Sequence, residues 1–180
     1  MLRRACLLLL AVLLVWLLAA CGSGGETPVA SPLRPGTPVP VSAEAAQRLQ
    51  GRLEAIADSP QRDFRLEITA EEATSYLAQW PESPLMDAQV WFTGGRVYLT
   101  GTVTQPMRLQ LATRWATRLE DEKARLVLEH ASVGCFTLPK GMLGALSGTI
   151  NEMIDESQTG IVITDVQVAE GRAVITGTKR

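Results

Sequence analysis

The chain has 180 residues, 46% hydrophobic, 20% charged and 5% aromatic, proportions that fit one ordinary globular domain with added ends and exclude a large multidomain enzyme. Seventeen basic residues face nineteen acidic ones, with a single histidine and no run of Lys/Arg. That balance argues against a nucleic-acid partner, because such affinity comes mostly from neutralising backbone phosphates.

Met1-Leu2-Arg3-Arg4 is a short basic start, and residues 5–18 are an unbroken apolar run, the layout of an export signal. Residues 5–20 are shorter than the ~20 needed to cross ~30 Å of hydrocarbon, which disfavours a retained membrane helix. The run ends in Leu18-Ala19-Ala20-Cys21, which resembles the lipobox of bacterial lipoproteins: small residues before the cut, then a cysteine whose thiol takes a diacylglyceryl group and whose lipids carry acyl chains such as palmitate. The resemblance implies a signal peptide over 1–20, lipidation of Cys21, and anchorage to the extracytoplasmic face of a bacterial cell membrane or facing a periplasm. Loss of Arg3 and Arg4 leaves fifteen basic against nineteen acidic residues, a net charge of −4. Cys6 leaves with the signal and Cys21 carries lipid, so Cys135 is alone and no disulfide framework forms within the chain. In the strand-like run Val133-Gly134-Cys135-Phe136, Cys135 reads as a small buried hydrophobe.

Residues 21–42 hold Gly22, Gly24, Gly25 and Gly36 with Pro28, Pro32, Pro35, Pro38 and Pro40, too little apolar content to fold. Proline at this density favours polyproline II, so the segment reads as a tether reaching up to ~60 Å at ~3.1 Å per residue. The domain proper spans 43–180. From Ser42, residues Ala46, Leu49, Leu53, Ile56 and Ala57 recur at helical spacing until Pro60. Residues 63–69 alternate, with Phe64, Leu66 and Ile68 on one face, as in a half-buried strand. Thr69 and Glu72 have capping-box spacing and predict a short helix to about Trp80.

Strands follow over 89–93, 96–104 and 107–118, the first two turning at Gly94-Gly95. In the third, Met107, Leu109, Leu111, Thr113 and Trp115 share one face while Arg108, Gln110, Arg114 and Arg118 share the other. Glu120-Asp121-Glu122 lacks the alternating ligands and glycine of a calcium loop and reads as a solvated turn. Residues 125–136 return as a second long strand. A helix over 139–155 begins at Pro139 and carries the stripe Met142, Leu143, Leu146, Ile150, Met153 and Ile154. Its small residues Gly141, Gly144, Ala145, Ser147 and Gly148 imply close approach to another backbone, since mid-helix glycine costs up to ~1 kcal/mol relative to alanine. Residues 160–168 and 172–178 form a last hairpin turning at Glu170-Gly171.

The two glycine hairpins echo each other: Gly95-Arg96-Val97-Tyr98-Leu99-Thr100-Gly101-Thr102 against Gly171-Arg172-Ala173-Val174-Ile175-Thr176-Gly177-Thr178, with Asp87-Ala88-Gln89-Val90 and Asp165-Val166-Gln167-Val168 before them. Each follows a helix, so the expected fold is α+β, dominated by antiparallel strands, with two helix-plus-hairpin units flanking a long central hairpin. Duplication and convergence both produce such an echo, and a common helix side and strand order distinguish them.

Over about residues 65–180 the chain resembles the LmeA-like and YpmS-like exported phospholipid-binding lipoproteins. The resemblance rests on Ile68-Thr69-Ala70-Glu71-Glu72-Ala73, on Gly94 through Gly101, on Ala131-Ser132-Val133-Gly134, and on the closing segment from Gly160-Ile161 to Gly177. It implies a strongly curved antiparallel sheet packed around a long helix and enclosing an apolar groove for acyl chains, similar to tubular lipid-binding domains, with no catalytic residue. One departure is the brief helix over 139–155, ~25 Å long at 1.5 Å per residue, which favours a groove over a closed tunnel.

The residues themselves are consistent with a groove, whose apolar, adaptable lining would come from Met107, Leu109, Leu111, Trp115, Leu126, Leu128, Met142, Leu146, Ile150 and Met153. The same periodicity also describes plain core. Arg108, Arg114 and Arg118 read either as a solvated face or as contacts to anionic headgroups. Enzyme chemistry finds little support: His130 is the only histidine, no serine sits in a Gly-x-Ser-x-Gly elbow, and no His/Cys/carboxylate spacing fits a metal. The expected task is therefore non-catalytic, without cofactor: binding or presenting phospholipid or another acyl-chain ligand. A second reading is an interaction module that holds or activates a cell-envelope enzyme through a sheet edge or apolar patch.

Overall fold

Ser42 caps the first helix, its hydroxyl accepting from the Ala45 amide at 3.1 Å, and so supplies a partner to one of the donors a helix start leaves open. The computed structural model describes residues 34–80, 83, 85–104, 108–120, 123–157 and 161–179; the signal segment, Cys21, most of the tether, Met107, Asp121, Glu122 and the side chain of Met153 lie outside them. In chain order the elements are α1 (Ala43–Asp58), β1 (Asp63–Thr69), α2 (Ala70–Gln79), β2 (Leu85–Thr93), β3 (Arg96–Val103), β4 (Leu109–Glu120), β5 (Lys123–Val133), β6 (Phe136–Thr137), α3 (Lys140–Ser157), β7 (Ile161–Ala169) and β8 (Arg172–Lys179). The fold is α+β with wholly antiparallel pairing, and the strands fall into a sheet ordered β1-β8-β7 and a sheet ordered β2-β3-β4-β5-β6.

The capping box forms as its spacing predicts: the Glu72 amide donates to Thr69 Oγ1 at 3.2 Å and the Thr69 amide to Glu72 Oε2 at 3.0 Å. Glu72 also joins α2 to α1, lying 3.6 Å from Arg48 Nε and 2.5 Å from Arg52 Nη2. Burial alone would raise its pKa, but the Thr69 amide and the Arg52 guanidinium outweigh burial and hold the carboxyl below the ordinary glutamate range. At the other end of α1, the Lys179 ammonium donates to the carbonyls of Ile56 and Ser59, a cation where the helix dipole favours one. The last stretch of the proline-rich segment is bonded to β2: the Gln89 side chain donates to Val39 O and accepts from Val39 N, and Trp91 Nε1 donates to Thr37 O at 2.9 Å.

In the larger sheet, helix side chains close the edge of β2 and the stretch of β5 that the short β6 leaves unpaired. On β2, the buried hydroxyl of Thr74 from α2 accepts from Val90 N at 2.9 Å and donates to Val90 O. On β5, Asn151 from α3 accepts from Leu126 N and donates to Leu126 O at 2.8 Å, while Ser147 Oγ accepts from Leu128 N at 2.9 Å. These groups stand where an adjacent strand would stand, so the backbone donors and acceptors are satisfied without another ladder.

The echoing hairpins align from their turns. Arg96 pairs with Thr93 and Arg172 with Ala169, and both hairpins break register at the same distance from the turn, between Met86 and Gln89 and between Ile163 and Asp165. On this alignment Gln89 matches Asp165, so the strands before the turns are offset by two residues from the Asp-x-Gln echo. The helices differ more: α2 packs on β2 of the hairpin that follows it, whereas α3 packs on β5. Helix side is thus not shared, and the echo follows from a physical need common to both hairpins, a glycine opposite each bulge. A Cβ on Gly101 would lie 3.2 Å from Met86 O, and one on Gly177 2.6 Å from Val162 O and 2.7 Å from the Phe64 ring.

Two expectations are corrected. The strand over 125–136 is broken by Gly134, whose φ of +60° turns the chain so that β6 folds back on β5; Cys135 therefore sits exposed on a turn and is not buried. The glycines of α3 approach no backbone, since a Cβ on Gly141, Gly144 or Gly148 would meet nothing within 4 Å; of the small residues it is Ser147 that meets one, at Leu128 N.

Gly177→Ala is expected to destabilise the full chain by about 2 kcal/mol through overpacking against a backbone carbonyl, whereas Gly101→Ala should stay within about 1 kcal/mol of the parent. Denaturant midpoints at unchanged slope read both values.

Candidate apolar cavity between the sheets

The inner faces of the two sheets do not meet fully, and between them lies an apolar cavity of about 330 Å³. The larger sheet contributes Val90, Phe92, Val97, Leu99, Trp115, Thr117, Ala124 and Leu126; the smaller contributes Ile68, Ile163, Val166, Ala173 and Ile175; α2 adds Leu77. No lining side chain carries a charge. The two polar groups are committed elsewhere: Trp115 Nε1 donates to Thr113 Oγ1 at 2.9 Å, and Thr117 Oγ1 donates to Val166 O at 3.3 Å, tying β4 to β7 across the space. An indole with its N–H already bonded presents only hydrocarbon, so the cavity is suited to an apolar occupant and offers little to water.

Two β-bulges decide what faces inward. Arg114 pairs with His130 but Trp115 with Leu128, so Glu129 is the extra residue of β5. Beyond it the alternation changes phase: Ala131 joins Leu128 and Leu143 in a buried cluster with Trp115 and Leu138 against it, and His130 shares the outer face with Arg114. The extra residue is itself useful there, for the Glu129 carboxylate lies 2.6 Å from Arg96 Nε and 3.1 Å from Arg114 Nε. The Arg96 guanidinium, with Arg114 behind it, holds that carboxyl below the ordinary range against the opposing effect of burial. In β7 the second bulge sets Ile163 and Val166, three residues apart, on the same inner wall.

Of the proposed lining residues, Trp115 and Leu126 reach the cavity. Leu128 is buried in the neighbouring cluster under α3. Leu109 and Leu111 are half-buried on β4, beyond the cavity, and Ile150 is half-buried on α3. Met142 and Leu146 are exposed, 50% and 40%, on the outer side of α3. Sequence reasoning missed the contribution of β7, β8 and β3, although the alternation of Val97 with Leu99 and of Ala173 with Ile175 signalled an inward face. Arg114 is held by Glu129, while Arg108 and Arg118 are exposed.

A second hollow of about 460 Å³ lies open between α1 and α2, lined by Gln50, Leu53, Glu54, Tyr76, Gln79 and Trp80 among others. Among the described residues no group of three or more His, Cys, Asp or Glu is placed to hold a metal ion, and no helix is long and apolar enough to cross a membrane.

Small additions to the wall should fill space without collision. The double variant Val97→Ile, Val166→Ile adds one methyl to each sheet and is expected to stabilise by about 1.5 kcal/mol at ~0.8 kcal/mol per buried methylene. Destabilisation in denaturant unfolding would indicate a closed core with no room. Comparisons with family models, with curated proteins and with solved structures find no match for this chain.

Proposed function

We propose that this is a bacterial lipoprotein, lipidated at Cys21 and held at the extracytoplasmic face of a membrane, whose folded domain binds or presents phospholipid by taking an acyl chain into the cavity between its sheets. The observation that carries this reading is the cavity itself: about 330 Å³ of uncharged, hydrocarbon-lined space, within the ~300–1,000 Å³ range of small-molecule sites. The lipobox-like Leu18-Ala19-Ala20-Cys21 and the resemblance to LmeA-like and YpmS-like proteins support it. On this reading the protein is not an enzyme: the outer-face position of His130 keeps the one imidazole away from the cavity.

A second reading, a module that holds a cell-envelope protein, draws on the outer side of α3. There Met142 and Leu146 are exposed, an apolar surface of the kind that partners cover.

The test is native mass spectrometry of the full chain extracted from bacterial membranes and exchanged into lipid-free detergent, with released ligands identified after denaturation. About one non-covalent phospholipid per chain, beside a covalent acyl modification on the Cys21 peptide, is the expected result. A chain that retains none and takes up none when phospholipid is added would favour the interaction module.

A further inference from the structure

The inter-sheet cavity has a neighbour. A pocket of about 120 Å³ shares Thr117, Ala124 and Val166 with it and adds Arg118, Leu119 and Asp165. The shared residues sit at the seam where β4, with Ala124 of β5 beside it, faces β7. No strand ladder joins these two strands; the Thr117 hydroxyl on Val166 O crosses the gap. Apolar space therefore gives way, across three residues, to a small chamber with one cation and one anion on its rim.

The two rim charges differ in kind. Arg118 is exposed at the outer end of β4, and its planar guanidinium suits a phosphate. Asp165 follows the bulge in β7; its Oδ2 accepts from the Gln167 side chain at 2.7 Å. Among the described residues no salt bridge joins Arg118 to Asp165, and both line the chamber. At ~30 Å³ per water the chamber has room for about four waters, the scale of a compact headgroup.

We propose that the β4–β7 seam is the mouth of the cavity and that Arg118 and Asp165 hold the phosphate and the ammonium of a zwitterionic phospholipid whose acyl chain lies between the sheets; this rests on the lipid-binding reading above. An anionic headgroup would satisfy Arg118 but bring negative charge toward Asp165, and a free fatty acid would leave Asp165 without a cation. Phosphatidylethanolamine, with an ammonium able to donate hydrogen bonds, matches both groups.

The full chain, reconstituted in phosphatidylcholine vesicles, is to be photolabelled with phosphatidylethanolamine or phosphatidylglycerol bearing a diazirine at the end of one acyl chain, and adducts mapped on the peptides containing Trp115 and Leu126. Phosphatidylethanolamine should label about fivefold more than phosphatidylglycerol, the scale of one ion pair at a surface. Asp165→Asn should bring that ratio to about one while total labelling persists, which also reports an intact cavity, and Arg118→Gln should lower labelling by both probes. A ratio at or below one in the parent, or an unchanged ratio in Asp165→Asn, overturns the headgroup site and leaves the cavity reading standing. Labelling of these peptides by neither probe overturns the lipid-binding reading itself.

Discussion

An antiparallel sheet that ends without a neighbour exposes a row of backbone donors and acceptors, and the architecture here depends on how that row is satisfied. Thr74 bonds both backbone groups of Val90, and Asn151 bonds both of Leu126, with Ser147 beside it on Leu128. A hydroxyl that donates and accepts, or a carboxamide that does the same, completes an edge as a strand would. The cost of leaving one buried amide unpaired is about 1–3 kcal/mol, comparable with much of a small domain's net stability. The helices are therefore fixed along the outer edges of the sheet, and α3 takes no part in lining the cavity.

With its helices placed at the edges, the domain fills the space between its sheets mainly with strand side chains, joined by Leu77 of α2. Those available on the inner faces are mostly Val, Ile, Leu and Ala, and they do not close it. Charge is kept outside by register: the bulge at Glu129 turns His130 outward and puts a carboxylate between Arg96 and Arg114. The bulge in β7 returns Val166 to the inner wall and leaves Asp165 at the seam. One irregularity in β7 thus separates an apolar space from a chamber rimmed by charge.

Local features were legible in the residues, and non-local ones less so. Thr69 and Glu72 announced their capping box because both partners lie within one turn, and the hairpin glycines announced their turns through backbone conformation alone. Bulges leave no comparable trace: Leu126, Leu128 and His130 alternate without a break, and only pairing with β4 shows that the phase changes at Glu129. Helix amphipathicity misled for a related reason. The α3 stripe through Met142 and Leu146 looked inward-facing, yet the buried side is the one carrying Leu143, Ser147 and Asn151, because an open strand edge needs polar partners more than further methyl groups. Cys135 was misread because Gly134, with its positive φ, turns what looked like continuous strand.

Amide hydrogen exchange at Val90, Leu126 and Leu128 in the full chain tests this account most directly, since each of those amides donates to a helix side chain. Slow exchange is predicted at all three, with Asn151→Leu speeding Leu126 and leaving Val90 unchanged, because the two edges are closed independently. Exchange at Leu126 and Leu128 in the parent as fast as at exposed turn amides would contradict it, for the β5 edge would then be open and α3 would not be what holds it.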